Sequence, residues 1–161
     1  FCGNFFLGYL PFAMWTAFFP FAEKSGEWNT GSWRSWVNYM VISFISSAAC
    51  AVVIGIGVDT LGIVPYAILT KIITLNNTLG SWIGVIMLMT VFGVTKHQFG
   101  LFWKDVMEDR DIGKPVAGPI GAWIVTAAAV AGVLGEGLTG VPATTLGWSC
   151  TFAIFIGSLL L

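Results

Sequence analysis

Long runs of this chain contain no charged residue, and this feature constrains the fold more than any other. Five such stretches cover residues 1–22, 35–58, 72–95, 115–135 and 137–161. Each exceeds the roughly 20 helical residues that are needed to cross a hydrocarbon layer about 30 Å thick. Inside lipid the backbone must satisfy its own hydrogen bonds, so a spanning segment of this kind forms an α-helix. The sequence therefore predicts an all-α, polytopic bundle of transmembrane helices that forms a single integral membrane domain over residues 1–161.

The overall composition supports the same class of fold. Only 9% of the 161 residues are charged, 57% are hydrophobic, and the mean hydropathy is +0.86. A soluble domain carries about 25% charged residues, because it must cover its surface with groups that bind water. The composition excludes a water-soluble enzyme, a disordered chain and a disulfide-stapled secreted module. No nucleic-acid partner is expected.

Within the charge-free stretches we expect about five spans, with four and six as the limits. The first span, at about 4–22, contains Pro11 and Pro20, so a kinked span and two interfacial pieces both remain open. The chain has no initiator Met and is expected to begin inside a longer gene product or after processing; its last span ends without a polar tail and is expected to be truncated. The other predicted spans lie at about 36–58, 79–95, 116–134 and 145–161.

The basic residues predict the orientation of these spans. Of seven Lys and Arg residues, two lie in the loop 23–34 and four in the loop 96–114. Cytoplasmic loops of membrane proteins are enriched in Lys and Arg. With five spans the two loops lie on the same side of the membrane, which predicts that both are cytoplasmic and that the N-terminus is exterior.

Two segments between the spans need a separate interpretation. Residues 98–111 are predicted to form a short amphipathic helix in the headgroup layer, because apolar residues recur there on one helical face. The charges of this helix nearly cancel, which favours anchoring over recognition of anionic lipid. Its apolar face consists of Phe99, Phe102, Trp103, Val106 and Met107.

The stretch 59–78 has an apolar run that is too short to cross the membrane. A re-entrant segment at 60–70 would imply a pore or a site. We favour instead an exterior interfacial segment anchored by Tyr66. Asn76, Asn77 and Thr78 match the N-glycosylation pattern in this loop, which the orientation places outside.

Small residues at a spacing of four indicate where helices approach one another. Gly80 and Gly84 form a GxxxG motif, and Gly118 and Ala122 begin a second ridge. Such ridges allow close approach when lipid supplies no hydrophobic driving force. The predicted partners are membrane lipid and, through these four residues, another copy of the chain or other membrane subunits; packing within one chain is the favoured role of the ridges.

Ionisable residues give only a few candidate sites. Asp59, Lys71 and Glu136 lie at predicted exterior ends of spans and would share one binding vestibule if those ends converge. His97 is the only histidine and is a candidate to ligate a single pigment or to bind a proton. No metal site or catalytic residue is predicted, and no cofactor is expected beyond lipid or a pigment.

Two functions remain open from the sequence. The first is a passive channel or facilitator for a small solute, oligomeric, with a pathway lined by small residues and hydroxyl groups. The second is a non-catalytic structural accessory subunit of a larger, energy-transducing membrane complex. An enzyme is the least favoured class, since no nucleotide, hydrolase or metalloprotease motif is present. The hydroxyls expected along a pathway belong to Ser43, Ser46, Ser47, Thr126 and Thr151.

Overall fold

The computed structural model describes residues 2–17, 19–21, 32–98 and 117–161, and this part of the chain is helical with short connections. The predicted all-α fold is therefore confirmed for the described residues. The interfacial helix predicted at about 98–111 lies outside them, apart from its first residue. The five helices are α1 (Cys2–Thr16), α2 (Trp33–Thr60), α3 (Tyr66–Gln98), α4 (Gly118–Thr139) and α5 (Ala143–Leu160).

Three of these helices, α2, α4 and α5, are long and apolar enough to cross a membrane. They contain 28, 22 and 18 residues and correspond to the predicted spans at 36–58, 116–134 and 145–161. The predicted count of five spans is not confirmed. Helix α1 has only 15 residues, and α3, although 33 residues long, carries Lys71, Asn76 and Asn77 in its first half.

Helix α2 lies at the centre of the bundle and packs against all four other helices. A helix that is apolar on every side is expected to be buried on every side. Ala48, Ala49, Cys50, Ala51 and Val52 are accordingly inaccessible to solvent. The core around α2 consists of side chains from α1, α4 and α5, among them Phe6, Leu10, Met14, Ala122, Val125, Ala129 and Ile154.

Two tight turns join α2 to α3 and α4 to α5. Gly62, with φ of 70°, and Gly140, with φ of 66°, take the left-handed conformation that glycine adopts without a steric penalty. In the first turn, the Asp59 carboxylate accepts a hydrogen bond from the Tyr66 backbone N–H at 3.1 Å and so caps the start of α3. The chain therefore reverses direction within residues 61–65.

The contacts between helices show that neighbours in sequence run in opposite directions. In α1, Gly3 lies against Ile54 near the end of α2, whereas Phe21, which follows α1, bonds to Asn38 near the start of α2. Gly147, early in α5, packs on Ile56. The turns at 61–65 and 140–142 therefore lie at the same end of the bundle, which we call the turn end. The helix ends that border the predicted loops 23–34 and 96–114 lie at the opposite end, and the cytoplasmic location of these loops stays a prediction.

The first predicted span, at 4–22, differs from the structure in its second half. Helix α1 ends at Thr16, and the described residues 19–21 are not helical. The side-chain amide of Asn38 accepts a hydrogen bond from the Phe21 N–H at 3.1 Å and donates one to the Phe21 carbonyl at 2.8 Å. This buried amide replaces the hydrogen bonds that a helix would have supplied to Phe21.

Candidate functional site

The structure places the three predicted vestibule residues toward the turn end of the bundle. Asp59 lies in the last turn of α2 and caps α3, Lys71 is exposed in the second turn of α3, and Glu136 is half-buried in the last turn of α4. That these three residues form one shared binding site stays a prediction.

The predicted role of His97 depends on its side chain, which lies outside the described part of the chain. Its backbone lies in the last turn of α3. Within the described residues there is no group of three or more His, Cys, Asp or Glu side chains that could hold a metal ion. The two candidate roles of His97, ligation of a pigment and binding of a proton, stay predictions.

Three of the five hydroxyl groups expected along a pathway, those of Ser46, Ser47 and Thr126, are turned toward their own helices. Ser46 and Ser47 are buried in α2 and donate hydrogen bonds to the Ser43 carbonyl at 3.1 and 2.6 Å. Thr126 in α4 does the same with the carbonyl of Ala122 at 2.7 Å. Such bonds to the preceding turn satisfy a hydroxyl without any outside partner. These groups therefore serve packing inside the bundle.

Hydrogen bonds fix the register between α2 and α3. The Tyr39 hydroxyl donates to the Ser81 carbonyl at 2.9 Å, and the Trp82 indole N–H donates to the Ser43 hydroxyl at 3.0 Å. Closer to the turn end, Asn77 Nδ2 lies 4.0 Å from Cys50 Sγ. The two helices thus run antiparallel and stay in contact from the turn to about Tyr39.

This register changes the interpretation of the stretch 59–78, which the sequence analysis placed outside the membrane. Residues 66–78 form the first half of α3 and lie beside α2. Cys50 is near the middle of the predicted span 36–58, so in a membrane crossed by α2 the neighbouring Asn77 lies near mid-depth. Tyr66 is not an interfacial anchor: it is 1% exposed, and its hydroxyl donates to the Gly132 carbonyl of α4 at 2.8 Å.

A polar groove lies along α3 at this depth, between α1 and α3 and above α2. Its volume is about 430 Å³, and it is open on one side. From Asn76 to Leu88 it follows about 18 Å of α3 at the helical rise of 1.5 Å per residue. The lining comprises Leu7 of α1, Tyr39 of α2 and six residues of α3: Asn76, Asn77, Gly80, Ser81, Gly84 and Leu88.

The GxxxG glycines keep this groove open. A Cβ atom added at Gly80 or Gly84 would meet no atom within 4 Å, so neither glycine serves close packing with another helix of the described chain. The second predicted ridge behaves differently, because Gly118 and Ala122 are buried inside the bundle. Gly80 and Gly84 leave the α3 backbone accessible from the groove, which a larger side chain at either position would narrow.

Two amides and a thiol link three helices beside the groove. Asn77 Nδ2 approaches Cys50 Sγ at 4.0 Å, and Cys50 Sγ approaches Asn4 Oδ1 at 4.0 Å. Sulfur is a weak donor and a weak acceptor, so these contacts leave most of the hydrogen-bonding capacity of both amides for other partners. Asn76 is exposed in the groove wall one residue away. The site is therefore rich in uncharged donors and acceptors.

Helix α1 borders the same groove through Leu7 and contains a proline four residues further along. Pro11 lies inside α1 and has no N–H, so it cannot donate the helical hydrogen bond to the carbonyl of Leu7. Leu7 lines the groove opposite α3. A proline in this position is tolerated in a membrane helix when neighbouring groups or a bound molecule supply the missing hydrogen bond.

The sequence shows the components of this site but not the site itself. On sequence alone, Asn76 and Asn77 match a glycosylation signal and Gly80 and Gly84 form a packing motif. The signal that connects them is spacing: Asn76, Gly80 and Gly84 recur every four residues and so share one helical face. The contribution of Leu7 and Tyr39 depends on tertiary contacts that no local pattern contains.

No protein-family model, no curated protein and no solved structure matches the chain. The class of protein to which this chain belongs is therefore defined by its fold alone. The described residues form an all-helical protein with three helices that are compatible with membrane insertion.

Proposed function

We propose that this protein is a passive channel or facilitator for a small solute, with the groove between α1 and α3 as its pathway. The observation that supports the proposal is the concentration of uncharged polar groups along a groove that lies beside a membrane-spanning helix. Four of the residues that line it carry an amide or a hydroxyl group: Asn76, Asn77, Tyr39 and Ser81.

Polar side chains near the middle of a membrane raise the free energy of the protein unless they have hydrogen-bond partners. An amide facing hydrocarbon without a partner loses the hydrogen bonds that it makes in water, at a cost of several kcal/mol on transfer scales. Two consecutive asparagines on α3 are therefore explained best by a polar occupant of the groove. Passive conduction needs donors, acceptors and backbone carbonyls, and it needs no coupling charge.

The open side of the groove indicates how the pathway is completed. A polar pathway must be closed off from lipid, and the described helices form only its floor and two walls. The proposed assembly is an oligomer in which another copy of the chain covers the groove. This arrangement gives the exposed GxxxG face of α3 a role in closing the pathway.

The test is solute flux into proteoliposomes followed by stopped-flow light scattering. Urea and glycerol serve as uncharged probes. Gly84→Leu fills the groove and is expected to lower the flux about tenfold or more, a change of about 1.4 kcal/mol in the barrier. Gly137→Leu is the matched control, because Gly137 also has no neighbour within 4 Å but lies at the end of α4, away from the groove.

Two results would refute this proposal. One is flux of both probes no faster than through protein-free liposomes. The other is equal flux through the wild type and the Gly84→Leu variant, which would place the pathway elsewhere.

An accessory subunit of a larger membrane complex is the second candidate, and one observation favours it. The open face of α3 combines the small residues Gly80 and Gly84 with exposed apolar side chains such as Ile72, Ile83 and Met87, an arrangement suited to a helix of an unrelated subunit. Native electrophoresis in mild detergent separates the two. A channel is expected to migrate as a homo-oligomer, and an accessory subunit with unrelated chains.

A further inference from the structure

The groove that carries the proposed function has a lining whose chemistry selects among solutes. Its eight lining residues contribute no carboxylate, ammonium, guanidinium or imidazole group. An ion entering it would lose its hydration without gaining an opposite charge, which is unfavourable at membrane depth. The lining therefore favours an uncharged solute.

The side-chain amides of Asn76 and Asn77 narrow the class of uncharged solutes further. A carboxamide offers a carbonyl acceptor and two N–H donors side by side. In the described part of the chain the side chain of Asn76 has no hydrogen-bond partner, and that of Asn77 has only the 4.0 Å contact of its nitrogen with Cys50 Sγ. Both residues line the groove, and each carboxamide carries a donor and an acceptor.

The same molecule shows what such an amide recognises. Asn38 pairs with the backbone of Phe21 through two hydrogen bonds, accepting from the N–H at 3.1 Å and donating to the carbonyl at 2.8 Å. The partner in that pair is the N–H and the carbonyl of one residue, a donor and an acceptor that belong to two successive peptide groups. A small carboxamide or urea presents a donor and an acceptor within a single group. A lone hydroxyl cannot present both groups along one edge in this way.

We propose that the groove selectively binds small uncharged solutes of the carboxamide and urea type, with Asn76 and Asn77 as the specificity-determining residues. That such a solute also crosses the membrane rests on the proposed function; the binding does not. The groove volume of about 430 Å³ exceeds what a molecule of this size needs. Selection therefore comes from paired hydrogen bonds rather than from size, and a site of this kind discriminates against an analogue that lacks the pairing groups.

Binding and flux are measured separately so that the two proposals can fail independently. Binding is followed by saturation-transfer NMR of acetamide with the full chain in nanodiscs, with propan-2-ol as the comparator that lacks the amide edge. Flux is followed as the ratio of urea to glycerol permeation in proteoliposomes. The variants are Asn76→Leu combined with Asn77→Leu, and Asn76→Gln, which keeps a carboxamide. The control is Thr90→Val on α3, whose hydroxyl bonds to its own helix at Ile86.

The wild type is expected to give a saturation-transfer signal for acetamide and none for propan-2-ol. Its urea flux is expected to exceed its glycerol flux by about tenfold or more. The double leucine variant is expected to lose the acetamide signal and the urea preference, while Asn76→Gln retains both at least in part and Thr90→Val is unchanged. Leucine at these positions suits a lipid environment, and unaltered gel-filtration behaviour shows that the variant is folded.

Four outcomes decide between the two proposals. Flux without a urea preference, or a preference that survives in the double leucine variant, overturns the selectivity and leaves the facilitator intact. A propan-2-ol signal equal to that of acetamide also overturns it. Amide-dependent acetamide binding with no flux of either probe supports the selective site and refutes the facilitator.

Discussion

Replacing Gly121 by alanine is expected to destabilise the bundle strongly, because an added Cβ would meet the backbone of α5 at this residue. The added Cβ would lie 2.6 Å from the Gly157 carbonyl oxygen and 3.0 Å from both Leu160 Cβ and the Leu161 backbone nitrogen. An ordinary contact begins at 3.4 Å, so the two backbones must separate by about 0.8 Å at this point. A gap of about 0.5–1 Å forfeits a quarter to a half of each dispersion contact beside it.

The expected loss of stability for Gly121→Ala is about 2–3 kcal/mol, the upper part of the range for overpacking, because backbone rather than a flexible side chain blocks the new methyl group. Even a loss of about 2 kcal/mol changes the ratio of folded to unfolded protein roughly 30-fold. In lipid this packing carries much of the association free energy between helices. The magnitude therefore lies well above the error of a stability measurement.

The measurement is reversible unfolding in detergent micelles by titration with sodium dodecyl sulfate, followed by tryptophan fluorescence and circular dichroism. Gly137→Ala is the matched control, since its Cβ would have no neighbour within 4 Å. The control is expected to unfold at or above the wild-type midpoint, because alanine favours a helix more than glycine does. Equal midpoints for Gly121→Ala and Gly137→Ala would refute the close crossing of α4 and α5.

Three further predictions use contacts elsewhere in the bundle. Tyr66→Phe removes the hydrogen bond to the Gly132 carbonyl and is expected to cost about 1 kcal/mol in the same titration, with an unchanged midpoint contradicting the bond. Asn38→Ala leaves the N–H and carbonyl of Phe21 unpaired and is expected to cost more, about 2 kcal/mol; a smaller loss than for Tyr66→Phe would show that the buried amide is dispensable. Single cysteines placed at Gly62 and Gly140 in a cysteine-free chain are expected to react with an impermeant reagent from the same face of oriented vesicles. Labelling from opposite faces would contradict the shared turn end.

The sequence predicted the most apolar helices well, for a physical reason. A segment that crosses lipid must be long, uncharged and able to satisfy its own backbone hydrogen bonds, as a helix does. A long stretch without charge therefore indicates both that a helix forms and where it lies. The predicted spans 36–58, 116–134 and 145–161 correspond to α2, α4 and α5. Whether the remaining two helices cross is not decided by the same signal, because α1 is short and α3 carries polar residues.

The boundary of α3 shows where charge is a poor guide. From the sequence the span is predicted to begin at 79, with 59–78, which includes Lys71, in an exterior segment because its apolar run is too short to cross. The helix instead begins at Tyr66, directly after the turn that Gly62 makes possible. Lys71 is in the second turn and exposed, so its long side chain can extend its charge toward the turn end while its backbone stays helical. Turn chemistry and side-chain length, rather than charge alone, set this boundary.

The small-residue ridges were visible in the sequence, but their roles were not. Spacing shows that a helix has a smooth face, whereas the choice of partner depends on which faces meet in the folded chain. Helices α4 and α5 meet backbone to backbone at Gly121 and Gly157, two residues that the predicted ridge at Gly118 and Ala122 does not include. Gly80 and Gly84 form the stronger motif, and they border the groove.

The distribution of packing also bears on how the groove could work. Helices α4 and α5 cross closely and both pack on α2, whereas α1 and α3 pack chiefly on α2 and flank the groove. A small relative shift of α1 or α3 would therefore change the width of the groove without disturbing the crossing at Gly121. The bond from Tyr66 to Gly132 ties the start of α3 to α4, and the bonds at Ser81 and Trp82 tie α3 to α2, so a shift of α3 is largest beyond Trp82, near Leu88. Elements with fewer buried contacts open most easily, and in this bundle those elements form the walls of the polar groove.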